Sequence, residues 1–375
     1  MERIDVNKRD NLGKTVLFYL NKTECQYKKY ISLGCDVNIR DNDNHTALYY
    51  AAKQYLIELI KPFIDAGAEY DIDRDFEPEI QLHMATLFGN IPKMKEILDR
   101  NKFLVNSRVY RWNGFMKIHP LYIACENGLY EEFLVLLDYG ANIHDSHNYL
   151  KIVLQNGNHK KAIDIFRHLI KLGLDVKAPV DSNGETLLHR CYKNKVDNID
   201  EFINVIIENG ADIHAKTQHK KPERFRYDYT FQFGGEPLHF ISSICFEKKT
   251  FETFFKYGAD PNVPNSFGKT PFMVLVHSSM CLFTQTQNQN DTFEIVKMFI
   301  DNGADIYKED EFGNTALDWI CHNRHILPKI RTQIIKYLDS KNMITKIKPQ
   351  TNQIIYSILE SNLTIVRPGF QKFHI

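Results

Sequence analysis

The chain has 375 residues, 43% apolar and 25% charged, ample apolar material for one continuous core. Lys plus Arg and Asp plus Glu both total 47, so the net charge is zero and a whole-protein basic field for nucleic acid or membrane is excluded. The seven cysteines are odd in number and contain no C-x-x-C, which argues against a disulfide framework or a cysteine zinc site and for a reducing intracellular compartment. The opening MERIDVNKRDNLGK has no apolar stretch, so a secretory leader is not expected. No run of about 18 apolar residues exists to form a membrane span.

Read in chain order, three short phrases recur. One is a turn opened by Asp or Asn and mostly closed by Gly: Asp10–Gly13, Asp41–Asn44, Asp181–Gly184, Asn265–Gly268 and Asp310–Gly313. A helix start follows, as in Thr15-Val-Leu-Phe18, Thr46-Ala-Leu-Tyr49, Ile80-Gln-Leu-His83, His119-Pro-Leu-Tyr122, Thr186-Leu-Leu-His189, Glu236-Pro-Leu-His239, Thr270-Pro-Phe-Met273 and Thr315-Ala-Leu-Asp318. Threonine can cap such a helix, and proline is tolerated in its first turn. About twenty residues on comes Gly-Ala-Asp or a variant, at Gly34, Gly67, Gly140, Gly173, Gly210, Gly258 and Gly303. Glycine there supplies the left-handed residue that stops a helix. Gly34 to Gly67 is 33 residues, as is Gly140 to Gly173.

Turn, helix, loop, helix and glycine at this period resemble the ankyrin repeat, whose pattern includes T-P-L-H-x-A and a G-A-D/N ending. The resemblance covers roughly residues 5 to 341. It implies an all-α ankyrin-repeat solenoid of about nine helix-turn-helix units with short β-hairpin fingers, over 1–343. Helix starts are expected near Thr15, Thr46, Ile80, His119, Ile152, Thr186, Glu236, Thr270 and Thr315. The fifth unit is degenerate. Residues 344–375 are expected to hold a capping helix, with Ile354, Ile355, Ile358 and Leu359 at helical spacing, and a tail.

Three segments exceed the period. Residues 103–116 bring Arg108, Tyr110, Arg111, Trp112 and Phe115 onto a finger; Trp, Tyr and Arg are the types enriched at interface hot spots. Residues 215–232 hold Lys216, Lys220, Lys221, Arg224, Phe225, Arg226, Tyr227, Tyr229 and Phe231, a basic and aromatic set suited to an acidic or phosphorylated peptide, or to a nucleic-acid strand. A solvated loop folded back on its neighbour is the plain alternative. Residues 279–291, rich in Gln and Asn, read as a surface loop.

No catalytic, cofactor or metal site is assigned. His83, His189 and His239 share one position of the helix-start phrase, and the resemblance implies a structural hydrogen-bonding role for them. Cys125, Cys191 and Cys321 stand where other units have alanine, so buried inert thiols are expected. Neither G-x-G-x-x-G nor G-x-x-x-x-G-K-[ST] occurs.

The function expected is that of a monomeric interaction module, not an enzyme. A protein partner would be gripped on the concave surface by Arg108, Tyr110, Arg111, Trp112, Lys220, Lys221, Arg224, Phe225, Arg226, Tyr227 and Tyr229. A small-molecule substrate, membrane or nucleic acid is not expected. An alternative is a ubiquitin-ligase adaptor, since Leu327-Pro328 and Ile334 to Leu338 resemble the start of an F-box-like motif. The diverged units and the Lys, Ile, Asn and Tyr bias are similar to ankyrin proteins of large DNA viruses and intracellular bacteria. That likeness implies a cytoplasmic setting, including a host cytoplasm.

Overall fold

The computed structural model describes residues 5–19, 24–53, 57–69, 76–111, 116–145, 147–157, 160–191, 199–218, 233–244, 247–277, 289–323, 326, 328–345 and 349–360. Its contacts divide into two units, 1–169 and 170–375.

The first unit opens with a 3-10 turn, Val16–Phe18, and then runs through helices α1 (Glu24–Ser32), α2 (Ala47–Lys53), α3 (Ile57–Asp65), α4 (Pro78–Leu87) and α5 (Ile91–Arg100). A second 3-10 turn, Lys102–Asn106, leads to strands β1 (Val109–Arg111) and β2 (Met116–Ile118), followed by α6 (Pro120–Asn127), α7 (Tyr130–Asp138) and α8 (Tyr149–Gln155). Helix α9 (Ala162–Lys171) runs across the division. The second unit holds α10 (Leu187–Arg190), α11 (Ile199–Glu208), α12 (Pro237–Ile244), α13 (Lys248–Lys256), α14 (Pro271–His277), α15 (Gln289–Asp301), α16 (Ala316–His322), α17 (Pro328–Ser340) and α18 (Pro349–Glu360).

The helices form because caps and glycines bracket short apolar stretches. Thr46 and Thr270 accept the N–H of Tyr49 and Met273 through Oγ1, at 3.2 and 3.1 Å. Thr315 and Asp318 complete a reciprocal capping box at the start of α16. Pro120 and Pro271 occupy the first helical turn, where a missing N–H costs nothing. At the other end, Gly140 and Gly258 adopt φ of 89° and 85°, which an L side chain rarely takes.

Three helix starts differ from expectation. Helix α8 begins at Tyr149, not Ile152, because the Asn148 side chain accepts the N–H of Lys151 at 2.9 Å and caps it earlier. Helix α4 begins at Pro78, ahead of Ile80, with proline in its first turn. The phrase at Thr15 yields only the 3-10 turn, and its side chain makes no cap.

Within each unit like packs on like. In the first, α4, α6 and α8 lie side by side, as do α5 and α7. In the second, α10, α12, α14 and α16 form one row and α11, α13, α15 and α17 another. Phe133 in the first unit, and Phe202, Phe254 and Phe299 in the second, each on the second helix of its pair, are wholly buried. Such rows bury apolar faces that no single pair could cover. Helix α18 packs on α16 and α17, with Ile355 buried and the Thr351 hydroxyl donating to Asp318 at 2.6 Å. Among the described residues the strands number two, paired antiparallel with Val109 opposite Ile118, Tyr110 opposite Lys117 and Arg111 opposite Met116.

Candidate functional site

The turns are built by one recurrent device. The side-chain Oδ1 of Asp10, Asp41, Asp181, Asn265 and Asp310 accepts backbone N–H groups two and four residues ahead, at 2.8–3.1 Å. A carboxylate or amide that satisfies two orphan donors fixes the turn without regular structure. Neighbouring turns are tied by backbone bonds: Asn42 donates to Leu12 at 3.0 Å in the first unit, and Glu311 to Phe267 at 3.0 Å in the second. Two tips stay open, with Leu12 at 56% and Phe312 at 42% exposure, whereas Phe267 at the same position of its turn is buried.

The histidines of the helix-start phrase bind adjacent turns together. The Nε2–H groups of His189 and His239 donate to the carbonyls of Gly235 and Lys269, at 3.1 and 3.0 Å, and the His83 ring lies between the carbonyls of Glu79 and Ile118, which stand 2.6 Å from Nδ1 and 3.2 Å from Nε2. Nδ1 of His189 and His239 accepts the N–H of Thr186 and Glu236, both at 3.1 Å. All three rings are fully buried, and burial holds each to a pKa of about 4. They are neutral connectors.

A second ladder escaped the sequence reading. Asn7, Asn38, Asn106 and Asn262 each donate Nδ2–H to the carbonyl of a helix-stopping glycine: Gly34, Gly67, Gly140 and Gly303. Each Oδ1 also accepts the N–H two residues past that glycine. The signal was present: asparagine follows Val or Pro at Val6-Asn7, Val37-Asn38, Val105-Asn106 and Pro261-Asn262.

Of the residues singled out for partner contact, Arg108 is exposed and its Nε lies 3.2 Å from His119 Nε2. Tyr110 and Arg111 sit on β1. Trp112, Lys220, Lys221, Arg224, Phe225, Arg226, Tyr227 and Tyr229 lie outside the described residues, as do most of 279–291. Phe103, just ahead of β1, is 92% exposed.

Cys35, Cys125, Cys191 and Cys321 are free thiols in the core. Burial raises the Cys35 and Cys125 thiols and pushes Cys321 up to about 12, so none of these three is a thiolate at neutral pH. In α17, the isoleucines 330, 334 and 335 and Leu338 are all buried, while Leu327 lies outside the described residues. An adaptor surface built on that helix would have to present the side chains that form its core.

Two clusters of ionisable groups converge among the described residues: His119 with Asp145 and His147, and Asp41 with Asp43 and His45. In the second, Asp41 already serves two turn N–H groups and the Tyr50 hydroxyl, and Lys14 stands 3.9 Å away. In the first, His119 comes from the cap of α6 and the other two from the turn before α8. His119 Nε2 lies 3.0 Å from Asp145 Oδ2, and His147 Nδ1 lies 3.2 Å from Asp145 Oδ1.

Rows of helix pairs, capped by threonine or proline, stopped by glycine and laced by buried histidine and asparagine, define a helical repeat protein. No family model matches the chain. Two curated relatives do, both the ankyrin repeat protein OPG189 of Variola virus, 28% identical over 192 residues. Each match covers 41% of this chain and 34% of the relative, so the chain spans about a third of the length of the relatives it matches. Together with the recurrent phrases, the matches support a diverged ankyrin-repeat protein similar to those of a large DNA virus. No helix among the described residues is long and apolar enough to cross a membrane.

Proposed function

We propose that the chain is a protein–protein interaction module, in which a scaffold of helix pairs holds out a row of turns and fingers to grip one protein partner. The observation that carries this reading is the contrast between turn base and turn tip. The bases are locked by Oδ1 bonds and cross-turn bonds, whereas two of the five tips, at Leu12 and Phe312, offer apolar side chains to solvent. Rigid apolar and aromatic groups on preordered backbone lose little entropy on binding. The ankyrin-repeat likeness supports protein partners in general.

The finer reading assigns contact to two segments, Arg108 to Trp112 and Lys220 to Tyr229. It takes the array as about nine units over 1–343, closed by the segment from 344, acting as a monomer in the cytoplasm. Fold alone does not name the partner, so charge and ring chemistry must carry specificity. Arg224, Arg226 and Tyr227 suit an acidic or phosphorylated segment. Replacing all three with alanine is expected to abolish capture of the partner and leave the melting curve unchanged. Capture that survives the triple change removes the finger assignment.

A further inference from the structure

We propose that His119, Asp145 and His147 form a binding site for a divalent transition-metal ion of the zinc class, stapling the α6–α7 pair to the turn that leads into α8. All three side chains are at least nine-tenths buried, with exposures of 5%, 3% and 10%. Their ligand atoms lie within 4.8 Å of one another, and the two nitrogen-to-oxygen separations are 3.0 and 3.2 Å. Ligands bound at about 2.0–2.2 Å around tetrahedral zinc stand roughly 3.3–3.5 Å apart, so small movements complete the shell. Two imidazoles and one carboxylate, with a fourth position for water, form a donor set suited to zinc.

The surroundings orient these atoms as a metal site requires. His119 Nδ1 lies 3.1 Å from the Asn106 carbonyl, which can only accept, so Nδ1 carries the proton. Nε2 is then an acceptor, taking the Arg108 Nε–H at 3.2 Å and lying 3.0 Å from the Asp145 carboxylate. A ligating histidine characteristically donates its other N–H to such a carbonyl. Asp145 is held by the Tyr149 hydroxyl on Oδ2 at 2.7 Å and by the His147 N–H on Oδ1 at 2.7 Å. The His147 ring is braced edge-on by Tyr122, with centroids 5.2 Å apart. Two electron-rich atoms facing each other at 3.0 Å call for a cation; Arg108 supplies one by donating Nε–H to His119 Nε2 at 3.2 Å, and a bound metal would displace it.

The segment that opens α8 has asparagine in place of the capping threonine and no histidine at the connector position, so a metal would add a tie between the degenerate unit and its neighbour. Metal binding to the folded state alone raises stability by mass action.

The test is titration of the full chain with Co²⁺ and Zn²⁺, following the visible cobalt band and the melting temperature. One equivalent is expected to give a tetrahedral cobalt band, displaced by Zn²⁺, with a higher melting temperature. His147→Ala is expected to weaken binding at least tenfold. Arg108→Ala, a change at an exposed position, is expected to tighten it, because a competing cation is removed. A wild-type chain with no cobalt band, as for a simple imidazole–carboxylate pair, overturns the proposal. So does a band that His147→Ala leaves unaltered, or binding that Arg108→Ala weakens.

Discussion

His239 shows how much one side chain can carry here. Its ring is wholly buried, accepts from Glu236 N–H and donates to the Lys269 carbonyl, so its loss strands the Glu236 donor, while the Lys269 carbonyl keeps the Asn265 N–H at 3.0 Å. Unsatisfied buried groups of this kind cost roughly 1–3 kcal/mol each. His239→Ala should therefore lower the urea midpoint with little change in slope; an unaltered midpoint would show that the bridge contributes nothing. The same burial makes the fold acid-sensitive. His83, His189 and His239 titrate near 4 in the folded chain against 6.5 when free, because burial disfavours the charged ring. Between those values the unfolded chain binds the protons and the folded chain does not. Stability is thus fully present above about pH 6.5 and lost as pH falls toward 4, by up to about 1.4 kcal/mol per histidine per pH unit. Melting temperatures measured from pH 7 to pH 4.5 should fall steadily, and a flat profile would contradict the buried neutral state.

At the scale of the element, helix ends are set by local chemistry. Gly258 has φ of 85°, and a Cβ added there meets nothing within 4 Å. The cost of Gly258→Ala is therefore backbone strain alone, roughly 1–2 kcal/mol. Gly258→Ser should cost the same within a few tenths of a kcal/mol in chemical denaturation; a much larger loss for serine would reveal hidden crowding. Because caps and stops act within a few residues, they were legible in the sequence. Thr46, Thr270 and Thr315 cap helices where the phrase placed them, and the glycines end them. The fifth unit was misplaced by three residues because Asn148, not a threonine, is its cap. What could not be read was contact across units. The Asn106–Gly140 bond and the His119–Asp145 pair join residues brought close only when one helix pair stacks on the next.

At the scale of the molecule, the interior is spent on holding neighbours together. Phenylalanines fill the seams, histidines and asparagines bridge turns, and the thiols of Cys35, Cys125 and Cys321 are silenced by burial. Stability in such an array is a sum of unit and interface contributions, and in the proposed function recognition falls to the turns and loop segments. The most direct test is affinity capture from the native cell with the intact chain, run beside the Arg224, Arg226 and Tyr227 triple-alanine variant. The account predicts one protein bound in near-stoichiometric amount to the intact chain and absent from the equally stable variant. Equal recovery by both, or no protein recovered above control, would contradict it.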